Sequence, residues 1–426
     1  MSDGETNTGR SYQAGAELRP PRLVSVVCLA SAAVFFAVAW VLAYIAAADV
    51  TAYFYQPRVL AVVHSLTLGW ISLTIMGVLY QFIPALTKRK VSWPGGAIWQ
   101  IVLFIAGAIG MVASFWFGRL EYTAWSATAV AVAILLFAGQ IVPALVGARR
   151  TDATTIGVLW AVVFYAMTAM LGLLYAWDKL HGFLGGSVLS NISAHAHIGL
   201  VGWVTLTICA VSYRVVTAFL LPTRPLPKSA RAQVVVLVIV VPALAAALLA
   251  RSRWAVVPAL VGFGCMLWYA TILFQIVHSR RMPIDWAMRH VVAAVMHMLA
   301  GLLCGILLFV IDPHSSIGSR LTAVYGLLVL VGWISNYIVG IGSRMGPALT
   351  GYGPEPLLVG RSAATVFFLL NSAVVAMAVG LVAGSESTFR GAVLALLAVG
   401  LIVIGNLGRR ISRRSVADAG TTPSAR

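Results

Sequence analysis

His64-Ser-Leu-Thr-Leu-Gly69-Trp70 and His197-Ile-Gly-Leu-Val-Gly202-Trp203 carry the same histidine, glycine and tryptophan at the same offsets, 133 residues apart. The match runs on, because Thr74-Ile75 and Tyr80 recur as Thr207-Ile208 and Tyr213. A third copy, from Gly332-Trp333-Ile334-Ser335 to Pro347-Ala348-Leu349-Thr350, aligns with Gly69–Thr87 at 10 of 19 positions without a gap. Apolar composition produces stray glycine or leucine matches, but not a shared GWIS and PALT at one spacing. The chain is read as internally repeated.

Each copy lies in a long apolar run. The 426 residues are 61% hydrophobic and 10% charged, against about 25% charged in a soluble domain. A span needs roughly 20 apolar residues. Twelve such runs fall near 22–47, 58–86, 96–117, 123–147, 155–177, 190–221, 231–250, 254–278, 289–311, 320–349, 361–383 and 389–407. The repeat sits in the second, sixth and tenth, so the unit is four spans. Four is even, so all copies enter the membrane in the same direction. The expected fold is an all-α membrane protein of twelve transmembrane helices in three parallel four-helix repeats, about 22–147, 155–278 and 289–407. This is not the inverted-repeat plan of many transporters. Residues 1–21 and 409–426 are expected as disordered cytoplasmic ends flanking one membrane domain at 22–408, and no cleavable signal peptide is visible.

The net charge of +17 follows from topology. With the N-terminus inside, 22 of the 29 lysines and arginines fall in cytoplasmic segments and 7 in outer ones, the positive-inside pattern. The expected partner is the lipid bilayer of a bacterial-type inner membrane, with both termini cytoplasmic, and no nucleic acid is needed to explain the basicity. All twelve carboxylates fall in loops, at termini or at span ends. This argues against an ion-coupled carrier, which places acids at mid-membrane. Cys28, Cys209, Cys265 and Cys304 stand singly inside spans and read as core residues.

The histidines are the candidate chemistry, since an ionisable group inside a bilayer is costly and marks function. His64 lies about six residues inside its span, roughly 9 Å deep at the helical rise, and His195 and His197 lie at similar depth. His64 and His197 hold equivalent positions, while the third repeat has Leu327 there. Two ligands at matched depth on related helices are placed to clamp one flat cofactor. His195 and His197 point about 200° apart around a helix, so His195 is either a second ligand or a partner of one. His297 is either a ligand at another level or a hydrogen-bonding residue of the bundle. His290 is expected to snorkel at the cytoplasmic boundary, while His181 and His314 are expected in outer loops near Asp178 and Asp312. Trp70, Trp203 and Trp333 read as packing or interface anchors.

Twelve spans, a three-unit plan, and the strings His64-Ser-Leu-Thr-Leu-Gly-Trp and Ala194-His-Ala-His-Ile-Gly-Leu-Val-Gly-Trp203 resemble the catalytic subunit I of the heme-copper oxidases. That superfamily includes cytochrome c oxidases and nitric oxide reductases, and the resemblance covers about 22–410. It implies that His64 ligates a heme b and that His195 or His197 stands where a copper ligand belongs. In that reading Arg58 pairs with heme propionates, and a redox partner or accessory subunit is implied. The chain departs from the family pattern as a divergent member. Its seventh span, 231–250, has no histidine, and its tenth offers Tyr325 and Leu327 in place of an H-x-H pair, so the oxygen-reducing binuclear centre is incomplete. The resemblance therefore implies a heme protein with His64 and His197 as axial ligands and His195 beside them. Its work would be electron transport, diatomic-gas chemistry with O2 or NO, or sensing. Any enzyme activity would be that of an oxidoreductase. The competing reading is a non-enzymatic protein for transport or assembly of copper or a small molecule, with His64, His195, His197 and His297 as metal ligands.

Overall fold

A computed structural model describes residues 20–312, 315–353 and 355–420. Among these there are helices and loops and no strand. Twelve helices are long and apolar enough to cross a membrane: α1 (Arg22–Ile45), α2 (Pro57–Thr87), α3 (Pro94–Trp116), α4 (Leu120–Val146), α5 (Ala153–His181), α6 (Val188–Leu220), α7 (Ser229–Leu249), α8 (Arg253–His278), α9 (Trp286–Leu307), α10 (Ser316–Thr350), α11 (Gly360–Ala383) and α12 (Glu386–Arg410). The chain is a multi-pass membrane protein, with its lipid-facing side chains left apolar. Most of the expected unstructured start and the last six residues, 421–426, lie outside the described residues, as does His314. The helix of α12 runs on to Gly420. That helix passes the boundary expected at 408.

Burial separates centre from periphery. The spans of α2, α6 and α10 are 72%, 72% and 78% buried, while the other nine are between 28% and 50% buried. The three repeat-bearing helices therefore form the middle, and nine helices surround them.

At the centre the three tryptophans are joined head to tail. Trp70 Nε1 donates to Ser335 Oγ at 3.0 Å, Trp203 Nε1 to Ser72 Oγ at 3.1 Å, and Trp333 Nε1 to Thr205 Oγ1 at 3.3 Å. Each acceptor lies two residues beyond the tryptophan of its own helix, so the three bonds close a ring α2 to α10 to α6 to α2. The role expected for these tryptophans, packing, is thereby given a definite form.

The same three helices each leave α-geometry for one stretch of π-helix, at Ser65–Ser72, Ile198–Thr205 and Leu328–Ser335. Such turns insert an extra residue and re-aim the side chains beyond it. The glycine within each stretch makes room for the preceding outer helix. A Cβ on Gly69 would stand 2.2 Å from Phe35 Cγ, on Gly202 2.8 Å from Phe164 Cβ, and on Gly332 2.7 Å from His297 Cβ. Related contacts recur at the far ends of the same helices. Gln81 donates to the Pro20 carbonyl, Arg214 pairs with Asp152 at 3.5 Å, and Arg344 pairs with Asp285 at 2.5 Å. Asp152 and Asp285 also cap α5 and α9, accepting from the backbone N–H of Thr155 and Met288.

Candidate functional site

A cavity of about 240 Å³ opens among α2, α3, α4, α5 and α6, touched from the centre by Leu330 of α10. A dry apolar cavity of ~150 Å³ is enough to admit benzene, so this one, which opens to the exterior, has room for the edge of a flat group larger than a single ring. Its walls are mostly apolar, with Leu68, Met111, Val130 and Ile134 among them. Two imidazoles line it, His64 from α2 and His195 from α6.

The His64 ring is oriented by its own helix. Its Nδ1 lies 2.8 Å from the Leu60 carbonyl, and a carbonyl only accepts, so Nδ1 carries the proton and Nε2 the lone pair. This fixed tautomer is what a ligating imidazole requires. Phe115 packs against the ring, the centroids 4.8 Å apart and the planes tilted by 37°. His195 packs against Gly172 of α5, where a Cβ would come within 2.9 Å of the imidazole Cε1. The His195 Nδ1 is buried without a hydrogen-bond partner.

Along α5 the cavity has a mouth and a floor. Lys179 is at the mouth, its Nζ 5.3 Å above the Tyr55 ring and 5.9 Å above Phe115, and it forms no ion pair among the described residues. At the floor Tyr165 stacks on Trp203 at 4.2 Å with the planes 4° apart, its buried hydroxyl beside Ser72. The Trp203–Ser72 bond beneath it belongs to the central ring, so the cavity stands on the ring that locks the three helices.

His197 is not in this cavity. Its Nδ1 donates to the Ser193 carbonyl at 2.7 Å, and its Nε2 accepts from the Tyr325 hydroxyl of α10 at 3.3 Å. His64 and His197 therefore make the same first hydrogen bond but face different interfaces, and the expected clamp between these two is not formed. The 200° divergence of His195 and His197 sends His195 to the cavity and His197 away from it.

Arg58 is likewise elsewhere. It pairs with Asp49 at 3.4 Å and lies 5.3 Å over Trp116. His297 and His290 belong to a separate polar cluster. His297 Nε2 donates to Asn371 Oδ1 at 3.0 Å, and His290 Nδ1 donates to Asn336 Oδ1 at 2.7 Å. The two amides pair reciprocally at 3.2 and 3.3 Å. His290 is 2% exposed, so it does not snorkel; the Asn336 amide satisfies its Nδ1 inside the bundle. His181 stacks on Trp177 in the last turn of α5 and is not in a loop.

Among the described residues no three histidine, cysteine or carboxylate side chains converge as a metal-ion site would need. The four proposed metal ligands are divided among the cavity, the α6–α10 contact and the α9–α11 cluster. Sequence reasoning passed over Lys179, Tyr165, Asn336 and Asn371. The asparagines had a signal, a carboxamide next to GWIS and another within an otherwise apolar span. Lys179 and Tyr165 had none, because only the packing of α5 against α6 brings them to the histidines. No family model matches this chain, and no curated protein matches it.

Proposed function

We propose that the chain is a heme-binding membrane protein on the three-unit scaffold of heme-copper oxidase subunit I, with heme b held in the cavity between α2 and α6. The observation that carries this reading is the meeting of two imidazoles from two central helices in one apolar cavity, with the His64 tautomer set and the His195 Nδ1 unpartnered. His64 and His195 are the residues that would hold the heme iron in this proposal, in place of His64 and His197. Lys179 takes the acidic edge of the cofactor at the mouth, in place of Arg58, as a charge-assisted contact. Gly172 leaves the space that the His195 imidazole occupies.

When bound, heme supplies a one-electron carrier. Two imidazoles that both held the group would suit electron transfer better than diatomic-gas chemistry or sensing. The apolar walls keep water from the site, and the fixed His64 ring keeps its lone pair aimed. The parallel three-unit arrangement is supported by the cyclic tryptophan bonds and by the contacts that recur at the far ends of α2, α6 and α10. The charge distribution supports an inner-membrane orientation with both termini cytoplasmic and the histidine-bearing end of the bundle outward. A redox partner would then meet the protein at that outer end.

Purification of the full chain in mild detergent, followed by a visible spectrum, tests the reading. A Soret band with a reduced α-band of the b type is expected, lost or converted in His64→Ala and in His195→Ala but kept in His197→Ala. A preparation without heme but with stoichiometric copper by elemental analysis would overturn it in favour of copper handling.

A further inference from the structure

In the alignment of the three copies, positions 64, 197 and 327 correspond, and so do 62, 195 and 325, two residues earlier. Around the centre, His64 of α2 shares a cavity with His195 of α6. At the next interface His197 of α6 meets Tyr325 of α10, Nε2 to hydroxyl 3.3 Å, with the rings stacked 19° from parallel. The remaining positions hold Leu327 and Val62, both buried. One arrangement of side chains thus appears as an open imidazole pair and a closed imidazole–phenol pair, while the third set of positions is apolar.

The closed pair is fixed at every polar atom. His197 Nδ1–H is tied to the Ser193 carbonyl, which leaves Nε2 to accept and the Tyr325 hydroxyl to donate. Tyr325 is backed by Gly305 of α9, where a Cβ would fall 3.1 Å from the phenol ring. His195 has no such support at Nδ1. Its direction is inherited from the backbone of α6, and directly after His197 that backbone enters its π-helical stretch, where the regular ladder is interrupted. Packing against α7 and α5 places this end of α6, and the side-chain hydrogen bond that fixes its rotation against another helix is the one on its other side.

We infer that Tyr325 is a positioning residue for the cavity: its hydrogen bond to His197 sets the rotation of the first segment of α6 and so aims His195 at His64. The inference rests on the cavity reading only in that His195 faces the site, and its first test needs no cofactor.

Tyr325→Phe keeps the ring and removes the hydroxyl. In full-length wild type and variant of equal heme content, modification of each histidine by diethyl pyrocarbonate is followed by mass spectrometry. His197 and His195 are both expected to react about threefold faster, the factor that one interhelical hydrogen bond in a membrane is worth. His290 and His297 are expected to keep their rates. His197→Phe should accelerate His195 equally, and the double variant no further. A faster His197 beside an unchanged His195 overturns the inference, and so does equal acceleration at all four histidines. If heme is present, Tyr325→Phe should also shift the g-values of the low-spin ferric centre. If it is absent, the heme reading fails while the modification rates still decide the role of Tyr325.

Discussion

His64, His195, His197 and His297 are one residue type in four environments, and the partner of each ring nitrogen separates their roles. His197 spends both nitrogens on protein groups, whereas His64 spends one and His195 leaves Nδ1 unpaired. His297 stands where Phe35 and Phe164 pack on the matching glycines, and the Asn336–Asn371 amide pair is what makes a histidine tolerable there. Asn371→Leu is expected to lower stability by about 1–3 kcal/mol, because His297 Nε2–H then loses its buried acceptor. Adding His297→Phe should recover most of that loss, as read from unfolding midpoints in detergent. At this scale the sequence located His64 through its repeat, and the same repeat put His197 before His195 as its partner in α6, whereas the cavity holds His195. Helical geometry says that His195 and His197 diverge. It does not say which one meets α2, since that depends on Tyr325, 128 positions from His197.

Among the elements, α2, α6 and α10 each end on a residue in the left-handed region: Lys88 at φ 57°, Leu221 at φ 46° and Gly351 at φ 83°. Only the third is glycine, which enters that region without a Cβ penalty. Leu221 is 52% exposed and has little packing to lose. Leu221→Gly should therefore stabilise the protein by about 1 kcal/mol, while Gly351→Ala should cost about as much, both measured as shifts in unfolding midpoint. Within the helices, Gly69→Ala would drive a methyl into the Phe35 ring. It should cost about 1–3 kcal/mol as overpacking and more than Gly202→Ala, whose nearest contact is longer. The span boundaries were legible to within a few residues, because bilayer thickness fixes how much apolar chain each needs. The π-helical stretches were not, since GWIS reads as an ordinary helical string and the extra residue is revealed only by the helices around it.

For the whole molecule, the tryptophan ring specifies geometry more than it supplies stability. An interhelical hydrogen bond in a membrane protein contributes about 0.6 kcal/mol on average, so three of them are a small part of the total. Ser72→Ala and Ser335→Ala should each lower stability by no more than about 1.7 kcal/mol. Ser72→Ala should also perturb the spectrum of any heme in the cavity above it, whereas Ser335→Ala, at the α2–α10 contact, should not. A ring of this kind has no first or last member. The segments 147–152 and 279–285 that join its arms are short and lie at one end of the bundle, away from the histidine cavity. A circular permutant that begins at Ala153, with the native ends tethered by a flexible linker, should therefore fold and keep the cavity, because the order in which the arms are synthesised is not written into the contacts that close them.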